Sequence, residues 1–367
     1  MNKFIPYSRH YITQKDINIV KKSLQSDYLT NGYYLKLFEK KIKNFTGSKY
    51  SVACSNGTAG IFMAYKALNL NKNSIIIIPA INFLAAFNMA AFLNSKIYIA
   101  DIDSETGQMT PENVVDCLKK NNLKKVDLVV TMYNGGCPLN AEGFFKLKKK
   151  YKFQLMEDAC HALGAKYTHT QKHKIGSCRY ADICVFSLHP QKTISSGEGG
   201  IVTTNNEKIY KRLKKFRNHG MERIISTKKK FHWKYSIKEP SFNFRLSEIN
   251  CALACSQLNK ISFLLKERKK IAEIYIKLFK ENKNLVIPNH YFKYNSAWHL
   301  FFIHIKKTSK ISRDKLIQKL YKNNILTQVH YIPIFLQPKY RYLKRKFNFL
   351  GSKKFYSETI SLPIFPN

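Results

Sequence analysis

The chain is short of acidic residues: 23 Asp and Glu stand against 63 Lys and Arg in 367 residues, a formal net charge of +40. It has no apolar run near the ~18–20 residues of a membrane span, so no membrane partner is expected. The opening MNKFIPYSRHYITQKD holds no continuous apolar stretch and no small-residue cleavage site, so no secretory leader is expected. The eight cysteines, at 54, 117, 137, 160, 178, 184, 251 and 255, include no C-x-x-C pair. In a chain of this size they are expected as reduced thiols of a cytoplasmic protein. There is no G-x-x-x-x-G-K-[ST] run, which excludes a P-loop, and no G-x-S-x-G elbow, which excludes the commonest hydrolase. Cys160, His161, His169, His173 and Cys178 are dense, but their spacing lacks the ligand pairs of a zinc motif, so no metal is expected.

The positive charge raises nucleic acid as a partner. The lysines, however, are spread in short runs such as KLKKK at 146–150 and STKKKFHWK at 226–234, and no recognition-helix or RNP-like pattern accompanies them. A basic surface that keeps the chain in solution and attracts anionic metabolites is the expectation, with no specific nucleic acid.

What is present is a core-forming chain: 44% hydrophobic, with 25 Phe and 22 Tyr. Seven apolar runs of strand length precede residue 205, at 51–54, 74–78, 97–100, 126–132, 153–156, 183–187 and 200–204. Most are separated by stretches of helical periodicity, as in AGIFMAYKAL and PENVVDCLKK. This alternation predicts an α/β fold with a seven-stranded, mostly parallel sheet. A basic, aromatic loop at 226–246 follows, then apolar positions at helical spacing from Ile249 to Ile274. With Ser247 as N-cap, they predict one long helix over 247–279. FFIHI at 301–305 and a helix at 311–322 predict a smaller α+β unit. The expected division is a large domain over 1–246 and a small one over 247–367.

In an open α/β sheet, ligands bind beyond the carboxyl ends of the strands. After SVAC comes SNGTAG, where Asn56, Gly57 and Thr58 open a helix whose free N–H groups suit a phosphate. After FQLM comes Glu157-Asp158, where one carboxylate is either a helix cap or a site group. After ICVFS come Ser187, His189 and Lys192, and after the second run Phe83 offers an aromatic face. A lysine, an aspartate, a phosphate cradle and an aromatic face on separate strand ends meet the requirements of pyridoxal 5'-phosphate. The lysine bonds the cofactor as a Schiff base and the carboxylate keeps its ring nitrogen protonated.

EDACHALGA, FSLHPQKTISSGEGG, NHGM, FNFRLSEINCALACSQL and TQVHYIPIFLQP resemble the DegT/StrS-type sugar aminotransferases, and the resemblance runs from IPYSRH to SLPIFP. It implies the fold-type I architecture of pyridoxal phosphate enzymes, a homodimer with shared active sites, and amino transfer from glutamate to a nucleotide-linked keto-sugar. Within the family, IPYSRHYIT, SDYLTNG and GSCRYADICVFSLHPQK are most similar to the UDP-4-amino-4,6-dideoxy-N-acetyl-β-L-altrosamine transaminases of pseudaminic acid biosynthesis. A GDP-perosamine-type or other nucleotide-sugar 3- or 4-aminotransferase is the alternative inside the family, and a non-catalytic regulator on the same fold is the alternative outside it. By position, the resemblance makes Lys192 the cofactor-bearing lysine and proton shuttle, and Asp158 the ring-nitrogen partner. His161 would lie by the ring and Phe83 would stack on it, while Gly57, Thr58 and Ser187 would hold the phosphate. Asn243 would reach that phosphate from the other subunit. Tyr7, the segment Asp27, Tyr28, Leu29 and Thr30, and the segment Gln328, Val329, His330 and Tyr331 would line the sugar-nucleotide pocket. Arg245 stands between a role in that cleft and a salt bridge. Two departures from the family pattern are the turn MYNGGCPLN and the end of the chain at SLPIFPN, where relatives continue into a helix.

Overall fold

IIIIP, residues 75–79, shows how the central sheet is built. A continuous apolar run needs cover on both faces, and in the computed structural model Ile76 and Ile78 point into one core and Ile77 into another. The structure describes residues 4–168, 172–223, 233–294, 296–345 and 347–366. Each of the seven predicted runs forms a strand: β1 Tyr50–Cys54, β2 Ile75–Pro79, β3 Lys96–Ala100, β4 Leu128–Met132, β5 Gln154–Asp158, β6 Ile183–Ser187 and β7 Gly200–Thr204. They are ordered β1-β7-β6-β5-β4-β2-β3 across the sheet. The pairs among β2 to β6 are parallel, and β7 runs antiparallel to both of its neighbours.

The same alternation repeats in Val129 and Val130, and in Leu155 and Met156. Each fully buried side chain of this kind contributes ~1.5–3 kcal/mol relative to exposure. Helices α1 Gln14–Leu24 and α2 Tyr33–Thr46 come before β1. One face of the sheet is covered by α3 Gly57–Ala67 and α4 Leu84–Phe92. The opposite face takes α5 Pro111–Lys120 and α6 Ala141–Tyr151. Helix α5 shows why PENVVDCLKK folds as it does. Thr110 accepts from the Asn113 N–H at 3.3 Å, Asn113 returns the bond at 2.9 Å, and Pro111 occupies the first turn. Helix α7 Glu207–Arg217 returns to the face of α3.

Beyond β7 the structure departs from two expectations. The stretch expected as a loop contributes to a two-stranded ribbon, β8 Met221–Arg223 against β9 Tyr235–Ile237, while 224–232, with most of the basic run, lie outside the described residues. The single long helix is two: α8 Glu248–Asn259 and α9 Ile261–Phe279, with Lys260 at φ −107°, ψ 11° between them. Ser247 caps the first as expected, accepting from the Asn250 N–H at 3.3 Å. The break has a cause. Cys251, Ala254 and Leu258 pack on the core beneath α2, whereas Ala272, Ile271 and Tyr275 pack on the core beneath β4 and β5. One straight helix does not serve both, and Lys260 is anchored at the bend by Asp16 and by Thr13, 3.0 Å away.

The remainder is a three-stranded antiparallel sheet, β10 Leu285–Val286, β11 Phe301–Ile305 and β12 Thr359–Leu362, with β11 central. It carries α10 His290–Lys293, α11 Arg313–Lys322 and α12 Leu350–Glu358. Ile303, Ile305, Ile360 and Leu362 join the same core as Ile77 and Val129, so the two sheets share one apolar body. None of the eight cysteines is paired; seven are buried and Cys160 is partly exposed. Among the described residues no helix is long and apolar enough to cross a membrane, and no group of three or more His, Cys, Asp or Glu is placed to hold a metal ion. His169, one of the residues weighed as a zinc ligand, lies outside the described residues.

Candidate active site

The carboxyl ends of β1, β4, β5 and β6 open onto one cavity of about 390 Å³. Asp158 is the last residue of β5 and only 3% exposed. Its Oδ1 accepts one backbone N–H, from Cys160 at 3.2 Å. It caps that single turn and no helix, so the helix-cap reading of this carboxylate is set aside. Burial raises its pKa, while the Cys160 bond and the Lys192 charge act in the opposite direction. A buried carboxylate has capacity for several donors, so Asp158 has room for a further N–H from a ligand ring.

At the end of β1, Asn56 caps α3 by accepting from the Ala59 N–H at 2.8 Å. The N–H groups of Gly57 and Thr58 are left to face the cavity at the positive end of the helix. Gly57 is glycine for a steric reason: a Cβ there would meet the Ser187 Cβ at 3.0 Å. Gly200 is needed for a different approach, since its Cβ would fall 2.3 Å from the Asn56 carbonyl oxygen. Of the glycines after Lys192, Gly200 thus lets β7 pass against the α3 cap, and none of the three lines the cavity.

Lys192 sits in the turn between β6 and β7, its N–H bonded to the His189 carbonyl at 2.8 Å, and its amine reaches the cavity. Burial lowers its pKa, with Cys160 and Asp158 opposing and Arg268 adding to the effect. Its Nζ lies 3.4 Å from His299 Nε2. Phe83, 52% exposed, caps α4 at the cavity with its ring 5.8 Å from that of Tyr331. His161 Nε2 bonds the Tyr331 hydroxyl at 2.9 Å and its ring lies 4.2 Å from that of His299. Burial drives His161 and His299 well below the usual histidine range and His330 down to about 3, so all three are neutral imidazoles. The Tyr7 hydroxyl donates to Gln191 Oε1 at the cavity wall. The MYNGGCPLN turn takes part through Met132, in the wall, and Asn134, which donates to the His330 carbonyl at 3.1 Å.

Of the sequence-predicted residues, Tyr7, Gly57, Thr58, Phe83, Asp158 and His161 line this cavity, as do Ser187, Lys192, His330 and Tyr331. Gln328 and Val329 do not: Gln328 pairs its backbone with Ser361 at 2.8 Å and turns its side chain to its own neighbour. Among the described residues Arg245 meets no carboxylate, it does not line the cavity, and it donates to Asn218. Asn243 and Asp27 to Thr30 are exposed and lie outside the chain's own cavity. The Asp27–Thr30 segment is tied to the start of α8, because Thr30 bridges Ser247 and the Glu248 N–H bonds the Leu29 carbonyl at 2.9 Å, whereas Asn243 bridges Asn218. The Glu248 carboxylate also accepts from the N–H groups of Gly32 at 2.8 Å and Tyr34 at 2.6 Å.

Sequence reasoning missed Gln191, Glu198 and His299 in the wall, and weighed Cys160 only as a metal ligand. Adjacency to Lys192 signals Gln191. His299 has no local signal, because it stands in the apolar run AWHLFF and is brought in by the approach to β11.

The residues present fit pyridoxal phosphate: a buried carboxyl in the cavity wall, an open helix end kept clear by a glycine, and an enclosed amine. The comparisons agree with that chemistry. The DegT/DnrJ/EryC1/StrS aminotransferase family matches residues 10–367. A UDP-4-amino-4,6-dideoxy-N-acetyl-beta-L-altrosamine transaminase of Campylobacter jejuni is 30% identical over 366 residues, covering 98% of this chain and 92% of the relative. The structure of PseC from Helicobacter pylori, described as an aminotransferase involved in the biosynthesis of pseudoaminic acid, superposes with a TM-score of 0.89 at 31% identity, covering 99% of this chain and 94% of that one. The PLP-form of a putative sugar aminotransferase from Streptococcus pneumoniae superposes with a TM-score of 0.87 at 25% identity, covering 99% and 94%.

Proposed function

Because the chain belongs to the DegT/DnrJ/EryC1/StrS aminotransferase family, we propose that it moves an amino group from glutamate to C4 of a nucleotide-linked 4-keto-6-deoxy sugar. The acceptor in this reading is UDP-2-acetamido-2,6-dideoxy-β-L-arabino-hex-4-ulose. The observation that carries the reading is the meeting of the Lys192 amine, the Asp158 carboxyl and the open N-terminus of α3 in one cavity.

Pyridoxal phosphate, when bound, supplies the electron sink that lets a bond to the amino-bearing carbon be broken as a proton transfer. Lys192 removes the Cα proton of the amino donor in the first half of the exchange and delivers a proton to C4 of the sugar in the second. The lowered pKa of its amine suits that alternation. Asp158 would accept the ring-nitrogen proton of the bound cofactor and keep it in place. Gly57, Thr58 and Ser187 would hold its phosphate, and Phe83 and His161, in the same wall, would pack against its ring. Tyr7, His330 and Tyr331 line the acceptor side. Asn243 and the Asp27–Thr30 segment act in the cavity of the partner subunit, which accounts for their lying outside their own.

The identity of the acceptor is tested by incubating the purified holoenzyme with glutamate and a panel of UDP- and GDP-linked 4-keto sugars. Amination of the UDP-linked L-arabino sugar at C4 is expected. Preference for a GDP-linked sugar would reassign the acceptor, and no amination of any sugar would favour the non-catalytic reading. Borohydride reduction followed by peptide mass spectrometry should place the cofactor on Lys192.

A further inference from the structure

The approach to β11 has features that core packing does not call for. Trp298 is in the left-handed region at φ +51°, an outlying conformation for so bulky a residue. Beneath it lies the guanidinium of Arg268, 1% exposed, which donates to the carbonyls of Trp298 at 3.2 Å, His299 at 3.4 Å and Ile364 at 2.7 Å. Among the described residues no carboxylate pairs with it. A buried cation without a counter-ion is costly. What this one organises is the backbone on either side of His299.

His299 is 4% exposed, and its Nδ1 has no partner. Its Nε2 lies 3.4 Å from Lys192 Nζ, and among the described residues that amine has no other hydrogen-bond partner. We propose that His299 is a positioning residue whose Nε2 holds the Lys192 amine whenever that amine is not bonded to cofactor, with Arg268 and the left-handed Trp298 as its mount. The inference rests on the reading of Lys192 as the cofactor-bearing lysine. A transaminase lysine is released and recaptured in every cycle, and a free lysine side chain is spread over many rotamers. A fixed acceptor keeps the amine within reach of the atoms it must serve.

The charges around the pair are consistent with this role. His299 faces His161, Lys192, Arg268 and His330, and burial with these neighbours keeps its ring neutral. Lys192 faces Asp158, Cys160 and Arg268. A lysine amine has an N–H to donate in either protonation state, so a neutral imidazole with its proton on Nδ1 accepts from it throughout.

The test uses apo-protein, so it does not depend on turnover. Competitive acetylation across pH, read by mass spectrometry at Lys192, gives the titration midpoint of that amine in the parent, in His299→Gln and in His299→Asn. Glutamine places an amide where Nε2 stands, whereas asparagine is too short to reach. The midpoint should fall by about one pH unit in the Asn variant, the size expected for losing one hydrogen bond to a charged group, and should stay with the parent in the Gln variant. An Asn variant that titrates like the parent overturns the proposal, as does a Gln variant shifted as far as Asn. A second measurement leaves residue 299 unchanged: Lys192→Ala should move the His299 imidazole nitrogen resonances in the apo-protein, and unmoved resonances would sink the proposal. A cofactor adduct on another lysine would refute the reading of Lys192, whereas these titrations report on the contact alone.

Discussion

Glu157 and Asp158 are neighbours in sequence with opposite surroundings, because successive residues of a strand face opposite sides of the sheet. Asp158 faces the cavity. Glu157 faces the core, where it accepts from the hydroxyls of Tyr133 at 2.8 Å and Tyr167 at 2.9 Å. Asp158→Asn should lower transamination by at least ~10²-fold, the lower end for removing a positioned ionisable group, with the melting temperature kept; near-normal turnover would make it a turn residue only. Burial raises the Glu157 pKa to about 7. The folded state then holds a proton that the unfolded chain has released, so this residue's contribution is complete below about pH 4.5. It is lost as pH rises toward 7, by an amount on the order of 3 kcal/mol. The buried histidines act with the opposite sign, losing stability as pH falls below about 6.5, so the Glu157 effect must be isolated as a difference. Subtracting the stability of Glu157→Gln from that of the parent should leave a decline between pH 4.5 and 7, and a flat difference would show that the carboxyl is not perturbed. The sequence revealed Lys192 and Asp158 because strand ends mark themselves by hydrophobicity. His299 stayed hidden because a histidine in an apolar run looks like any core residue.

Among the elements, α3 bears most directly on function, since its N-terminus is the candidate phosphate site. Gly57→Ala would set a Cβ 3.0 Å from that of Ser187. The expected result is cofactor affinity weakened about tenfold, roughly 1.4 kcal/mol, measured by equilibrium dialysis of apo-protein, with the far-ultraviolet spectrum unchanged. Unaltered affinity would move the phosphate away from α3. The strands were legible because their apolar runs are short and bounded by turns. The break between α8 and α9 was not, because it answers to two cores that the sequence does not distinguish. Periodicity continues across Lys260, and only the tertiary anchor on Asp16 shows where the helix stops.

On the scale of the whole molecule, two predicted site segments are left over. Asn243 and Asp27–Thr30 lie outside their own cavity: Thr30 and Leu29 are tied to Ser247 and Glu248 at the start of α8, while Asn243, a few residues earlier, bridges Asn218. Local sequence does not show which subunit a loop serves. Complementation does: Lys192→Ala and Asn243→Ala proteins, each nearly inactive, should regain activity when mixed under conditions that exchange subunits, since one site of the heterodimer is then intact. A mixture that stays inactive although exchange is demonstrated would place Asn243 within its own subunit. The thiols have a practical consequence. Seven are sealed in the interior and only Cys160 is partly open, at the cavity wall. A small alkylating reagent thus has one target in the native protein and eight in the unfolded one. Burial and the Asp158 carboxylate push the Cys160 thiol well above its usual range, so native alkylation should be slow at neutral pH and quicken with alkali. Added cofactor should shield that one thiol, while denaturant should expose the other seven together. The chain then acts as its own gauge, one sulfur counting empty sites and seven counting unfolded molecules, with no label built in.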